Sequence, residues 1–358
     1  MASSSFDPRK HVGVGAERVT HVSSTDYPGV YPGEEHSWSL DNFKERLQVS
    51  VKRLSDRSVE FDLVGVDASI ANSLRRVLIA EVPTVAIEYV YVWNNTSIMA
   101  DEILAHRIGL IPLNVDPALM AFRESPELST DRNTLVFKLH VACSVRKPEQ
   151  RPTWEFDDDA RFINHTVRAG DFVWEPQGEQ EEVFADRPPG PTNPDIVLMK
   201  LRPGQEIDLE MHAIKSVGKD HAKYSPVATA SYRLLPAIIL NPAKPVPREH
   251  AKKFASCFTP GVITIDPATG EVGVDPERIR AESMSREVLR HPEFEGCVEL
   301  ARVRDHFIFN VETESAYEPQ RLPLESIRIM REKVAALREA ALSLTAPDSG
   351  EDQMAVDP

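Results

Sequence analysis

Cysteine is scarce in this sequence: Cys143, Cys257 and Cys297 stand far apart, and none belongs to a CxxC pair. That spacing argues against a disulfide framework and against a local thiolate site for zinc or iron–sulfur, so no cofactor is expected and a reducing compartment fits best. Positive charge is also short, with 41 Lys plus Arg against 56 Asp plus Glu and a formal net charge of -15. A phosphate backbone would be repelled overall, so free-standing nucleic-acid binding would need a local basic patch working against the global field. Long apolar runs are missing too. Leu234 to Leu240, interrupted by Pro236, falls far short of a membrane span, and MASSSFDPRK has no apolar core of a signal peptide, so neither membrane insertion nor export is expected.

Catalytic motifs are equally hard to find. No Walker loop, HExxH or nucleophile elbow occurs. Gly13-Val14-Gly15 lacks a third glycine and does not join a strand to a helix, which leaves a segment of a flexible arm as the better reading. Asp157, Asp158 and Asp159 are consecutive, so on an extended chain they point to opposite sides and make a poor cation site. His106 follows Glu102 by four residues, a spacing that a simple contact along a helix explains.

What is present is a globular chain of 358 residues with 41% hydrophobic and 7% aromatic residues, enough for one large or two modest cores. Residues 1–39 mix Ser, Gly, Pro and His without periodicity and read as a flexible arm or an extended segment laid over a neighbour. Leu47, Val49 and Val51, then Val59, Phe61 and Leu63, alternate about a turn at Ser55-Asp56-Arg57, which predicts a hairpin with one buried face. Ala86 to Trp93 and Leu135 to Val141 read as strands flanking a short helix that ends at Gly109. Residues 144–195 are acidic and proline-bearing, and are expected to loop outward with at most a hairpin around Thr166 to Trp174. Ile207, Leu209, Met211 and Ala213 resume a clear strand, GVITIDPATGEVGV reads as a hairpin, and VELARVRDHFIFNVE as a second one. Residues 346–358 form an acidic tail.

Two helices stand out. In ANSLRRVLIAEVP, with Asp67 as N-cap and Pro83 as the far boundary, a helical wheel places Ile70, Leu74, Val77 and Leu78 on one side and Asn72, Arg75, Arg76 and Ile79 on the other. Near the C-terminus Ile327, Met330, Val334, Leu337, Ala341 and Leu344 recur at alternating three- and four-residue steps, the narrow seam of a helix pressed along another helix. One further stretch concentrates cations: Lys215, Lys219, His221 and Lys223 form either a solvated loop or a contact to an acidic partner surface or a phosphate. With Tyr224 as its lone aromatic, it makes a poor single-strand platform.

VDASIANSLRRVLIAEVPTVAIEYVYVWNNTSIMADEILAHRIGLIPL resembles the signature of the α-like subunits of multisubunit RNA polymerases. GKDHAKYSPVATASYRLLP, FTPGVITID and SREVLRHPEFEGCVELARVRDHFIFNVE are similar to the larger α-like subunits shared by eukaryotic RNA polymerases I and III. The resemblance covers roughly residues 40–344. It implies an α+β fold: a discontinuous dimerisation domain of antiparallel sheet plus two helices, residues 40–85 and 228–345, interrupted by a mostly β insert domain at 86–227. It also implies a non-catalytic assembly subunit of the nucleus and nucleolus. Such a subunit pairs with a smaller α-like subunit through Ile70, Leu74, Val77, Leu78 and the C-terminal seam, and carries the two large catalytic subunits and small core subunits. By the same resemblance Asn72, Arg75, Arg76 and Ile79 face a large subunit, and DNA and RNA are met only through the complex. Some relatives hold a cysteine-ligated metal in the insert; with only Cys143 there, that site is not carried over.

Overall fold

The computed structural model describes residues 6–22, 38–123, 128–146, 161–314 and 317–345; Asp157, Asp158, Asp159 and the acidic tail lie outside the described residues. In chain order the strands are β1 (His11–Val14), β2 (Val19–Thr20), β3 (Gln48–Leu54), β4 (Ser58–Val64), β5 (Pro83–Asn95), β6 (Thr134–Ala142), β7 (Ser144–Val145), β8 (Phe162–Ile163), β9 (Thr166–Arg168), β10 (Val173–Glu175), β11 (Val197–Lys200), β12 (Glu206–Val217), β13 (Val227–Leu240), β14 (Ile263–Ile265), β15 (Val272–Val274) and β16 (Val298–Thr313). The helices are α1 (Leu40–Arg46), α2 (Ala68–Ala80), α3 (Asp101–Gly109), α4 (Gln180–Val183), α5 (Ala251–Ser256) and α6 (Arg321–Thr345). The registered strand pairs are antiparallel, so the fold is α+β. Two compact units divide the chain: Met1–Arg75 with Thr229–Val311, and Arg76–Ala228 with Glu312–Pro358.

The first unit is built on a sheet of order β2-β1-β16-β4-β3, with β13 also paired to β16. Val59, Phe61 and Leu63 alternate along β4 and turn into the core, where the Phe61 ring stacks on Phe309 at 5.0 Å and Tyr232 meets Phe307 edge-on at 5.3 Å. The expected hairpin forms, pairing Val49 with Leu63 and Val51 with Phe61. Only β4 is buried, however. Val49 and Val51 are each 61% exposed, because β3 is the last strand of the sheet.

Two further expectations change in this unit. VELARVRDHFIFNVE is one strand of 16 residues, not a hairpin. Its polar middle is held straight by neighbours: Val303 lies opposite His11, the Arg304 N–H donates to the Lys10 carbonyl at 2.9 Å, and the Asp305 carbonyl accepts from Gly65 at 2.9 Å. Residues 6–22, expected as arm, supply β1 and β2 to the same sheet. Gly13 is needed there for close approach, since a Cβ would fall 2.4 Å from Thr20 Oγ1.

The second unit carries a four-stranded sheet of order β10-β6-β12-β5. Ile207, Leu209, Met211 and Ala213 alternate along β12 and are fully buried against Leu135, Phe137 and Leu139 of β6. The described part of 144–195 does not loop outward. Val167, Ala169, Phe172 and Phe184 belong to this core, and buried Gln180 donates from Nε2 to the carbonyls of Asp131 at 2.6 Å and Thr134 at 2.8 Å. No hairpin spans Thr166 to Trp174, because β9 pairs with β11 while β10 pairs with β6. Segment-average acidity concealed the isolated apolar side chains that seat the segment.

A charged cluster ties β4 to the loop after β15. Arg280 donates from Nη1 to Glu60 Oε1 at 2.6 Å and from Nη2 to Asp62 Oδ1 at 2.9 Å, and His306 Nε2 lies 3.3 Å from the other Asp62 oxygen. Asp62 is almost fully buried, so these partners offset the cost of taking its carboxyl group out of water. Replacing Arg280 by Met should therefore cost about 3 kcal/mol of stability, and Lys should recover only part because it lacks the planar fork. Equilibrium chemical denaturation of the two variants checks both statements.

Candidate assembly interface

Helix α2 starts where Asp67 Oδ1 accepts the Ser69 N–H at 2.8 Å; hydrogen bonds from Ser69 hold that carboxyl below the usual carboxylate range. It ends where Glu81 and Val82 both donate to the Val77 carbonyl before Pro83 opens β5. Gly218 lies against this end: a Cβ would sit 2.2 Å from the Ile79 carbonyl oxygen, and the next N–H, that of Lys219, caps Ala80 at 2.8 Å. Leu74, Val77 and Leu78 are buried with Ala71, whereas Ile70 on the same wheel sector is exposed. On the other side Asn72, Arg75 and Ile79 are half-buried and Arg76 is exposed. Arg75 donates from Nε and Nη2 to Asn72 Oδ1 at 3.1 and 3.0 Å, so the amide aims the guanidinium.

Helix α6 is 25 residues long, about 37 Å at the usual rise. Its first turns are anchored. Tyr317 donates its hydroxyl to the Pro83 carbonyl at 3.0 Å, Arg321 bridges Asp116 at 2.8 Å and Glu325 at 3.1 Å, and Leu322 and Ser326 are fully buried. Farther along, Lys333 reaches both oxygens of Glu81 at 2.8 and 2.9 Å. The seam itself is uncovered. Met330 is half-buried and Ile327 and Ala341 are exposed, while Val334, Leu337 and Leu344 are 65%, 70% and 87% exposed. Polar flanks pair locally, Arg328 with Glu325 at 2.9 Å and Glu332 at 3.8 Å.

The cationic stretch is split by the fold. Lys215 donates to the Met120 carbonyl at 2.9 Å and lies 4.6 Å from the centre of the Phe122 ring; burial, with Arg328 nearby, pulls its pKa below the ordinary lysine value. Lys223 donates to the Ile87 carbonyl at 2.9 Å and pairs with Glu88, which also accepts the Tyr224 hydroxyl at 2.8 Å. Burial alone would raise Glu88's pKa, but these two hydrogen bonds outweigh it and hold the carboxyl below its usual value. Lys219 and His221 are exposed. Among the described residues no three His, Cys, Asp or Glu side chains gather as a metal site, and no helix is long and apolar enough to cross a membrane.

Sequence reasoning missed the anchors of α6. Arg321 and Glu325 have helical spacing, which was legible, but Asp116, Pro83 and Glu81 are remote in sequence and carry no local signal.

An anchored helix that holds out an apolar seam marks a protein built to associate with others. A family model described as the RNA polymerase Rpb3/Rpb11 dimerisation domain matches residues 60–334. A Saccharomyces cerevisiae protein named DNA-directed RNA polymerases I and III subunit RPAC1 is 47% identical over 336 residues, covering 93% of this chain and 98% of its own. The human protein of the same name is 45% identical over 326 residues, covering 91% and 93%. An Arabidopsis thaliana protein, DNA-directed RNA polymerases IV and V subunit 3B, is 32% identical over 308 residues, covering 84% and 93%. This chain belongs to the Rpb3/Rpb11 dimerisation-domain family, and it is similar over nearly its whole length to the larger α-like subunits of RNA polymerases I and III.

The Asp116–Arg321 pair sets a pH dependence. Burial, the largest single influence, raises the Asp116 carboxyl, but the Arg321 hydrogen bond, the Ala118 N–H and the nearby guanidinium charge together outweigh it, for a net value below its ordinary 3.8. A depressed folded pKa contributes stability above the unfolded value that is lost as pH falls through the folded one. Asp116→Asn should thus cost about 1 kcal/mol near neutral pH. The difference from wild type should shrink below about pH 4, as measured by urea unfolding at a series of pH values.

Proposed function

We propose that this chain is a non-catalytic assembly subunit of DNA-directed RNA polymerases I and III, in the nucleus and nucleolus, serving transcription of ribosomal RNA and of small RNAs such as tRNA and 5S rRNA. It pairs with a smaller α-like subunit, and the pair is the platform on which the two large catalytic subunits and the small core subunits assemble. Residues 40–85 and 228–345 are assigned to the dimerisation domain and 86–227 to the mostly β insert. DNA and RNA are reached only through the complex. The observation that carries this reading is the α6 seam, an apolar row at 3.5-residue period that stays in water in the isolated chain. Ile70 and the seam supply contact area to the smaller subunit; Leu74, Val77 and Leu78, buried within the chain, fix the helix that presents Ile70. Asn72, Arg75, Arg76 and Ile79 are assigned to a large subunit, for which a guanidinium aimed by Asn72 is suited to carboxylates and carbonyls. Exposed Lys219 and His221 remain open to a partner, whereas Lys215 and Lys223 are occupied internally.

Covering Val334 and Leu337 contributes roughly 1.5 to 3 kcal/mol each, and an aspartate there adds an unpaired buried charge. Val334→Asp with Leu337→Asp should therefore abolish the heterodimer while leaving the chain folded, because both positions are exposed without the partner. Co-elution with the smaller subunit at wild-type affinity, in a sample with unchanged circular dichroism, would count against the seam. Replacing Arg75 and Arg76 together by Glu should instead keep the smaller subunit and weaken docking of the large ones. Affinity purification with identification of the co-purifying chains reads this out, and loss of the small subunit alone would mean that the two faces are exchanged.

A further inference from the structure

The outer face of the four-stranded sheet in the second unit plays no part in the reading above. Along β5, Tyr89, Tyr91 and Trp93 alternate onto one face and are 42%, 46% and 71% exposed. Next to them on β12, Glu206, Asp208 and Glu210 occupy the same outer face, because the intervening Ile207, Leu209 and Met211 point into the core. The register puts Glu210 opposite Tyr91, His212 opposite Tyr89 and Asp208 opposite Asn94, beside Trp93. A row of aromatic rings thus runs beside a row of carboxylates. β5 is also the last strand of its sheet, with its Pro83 and Ile87 carbonyls already taken by Tyr317 and Lys223, so the sheet face rather than the edge is what remains open.

The nearby lysine and histidine side chains only partly answer this acidity. Lys138 of β6 is bound to Glu175 at 2.8 Å, His140 lies 3.7 Å from Glu206 and 3.8 Å from Asp208, and His212 meets Glu210 at 2.9 Å. The same region already places cations on rings: the Arg123 guanidinium sits 5.3 Å from the Tyr89 centre and Lys215 sits 4.6 Å from that of Phe122. Tyr91 and Trp93 have the neighbouring carboxylates that such a cation needs. Phosphate-bearing ligands meet repulsion from three acidic side chains, which excludes the stacking use that exposed rings have in nucleic-acid binding.

We propose that this face, with Tyr91 and Trp93 flanked by Asp208 and Glu210, docks an extended protein segment carrying arginine side chains. A guanidinium can lie flat on each ring and fork its N–H groups onto the adjacent carboxylate; an ammonium can do only the first. The inference stands without the assembly role proposed above.

The test uses the full-length chain and a fluorescently labelled alternating arginine–serine peptide, read by anisotropy at moderate salt. Saturable binding is expected, weaker for the lysine–serine analogue. Tyr91→Ala with Trp93→Ala should weaken it about tenfold, without change in the charge of the chain. Asp208→Asn with Glu210→Gln should weaken it to a similar degree, and Tyr91→Phe should leave it intact. Should the alanine pair lose its fold by circular dichroism, Tyr91→Leu with Trp93→Leu keeps apolar bulk while removing the rings, and the same loss is expected. Binding that survives ring removal would overturn the proposal, since the net negative charge alone would then hold the peptide. A polyuridine strand or a glutamate–serine peptide binding as tightly as the arginine peptide would overturn it equally.

Discussion

The ion pair between Arg321 and Asp116 is the constraint on which the presentation of α6 depends. It holds the first turn of a 25-residue helix, with Tyr317 on the Pro83 carbonyl and Leu322 and Ser326 sealed beneath. Beyond Ser326 no residue with a described side chain is buried. A helix of this length cannot satisfy its apolar seam in water, and an unanchored one would fray or collapse onto whatever apolar surface it met. Anchoring one end and pairing Lys333 with Glu81 keeps the seam both ordered and available.

The two adjacent arginines of α2 make sense on the same physical terms. In a chain of net charge -15 a phosphate backbone meets overall repulsion, so the pair invites a contact to carboxylates or carbonyls instead. Asn72 takes up two N–H groups of Arg75, and Arg76 makes no side-chain hydrogen bond or ion pair among the described residues. Leu74, Val77 and Leu78 meanwhile lock the helix from the other side. A planar, permanently charged fork on a rigid helix loses little further freedom when a partner binds, which distinguishes it from a lysine on a loose surface.

Much of the fold was legible because its signals are local. The period-2 row of β12, the alternation of β4, the Asp67 cap and the Pro83 boundary of α2, and the 3.5-residue seam of α6 each depend on neighbours within a few residues. The misreadings share the opposite cause. A polar centre made β16 look like two strands, yet Lys10 and Gly65, remote in sequence, keep it extended. Phe172 and Phe184 were hidden in an acidic background, and β9 and β10 found partners other than each other. Lys215 and Lys223 read as a cationic patch until Met120, Ile87 and Glu88 claimed them.

By itself the sequence determined the class of this protein: an acidic α+β chain with few cysteines, a family signature across α2 and α3, and an apolar seam that repeats every 3.5 residues near the C-terminus. Side-chain periodicity and residue chemistry are written along the chain, so they survive without a structure. Only the tertiary structure decided which apolar residues are already covered, leaving Val334 and Leu337 in water while Val77 and Leu78 are not, and which cations are already bound. Burial and ion pairing are properties of contacts between distant segments, and periodicity cannot tell a side that faces the chain's own core from one that awaits a partner.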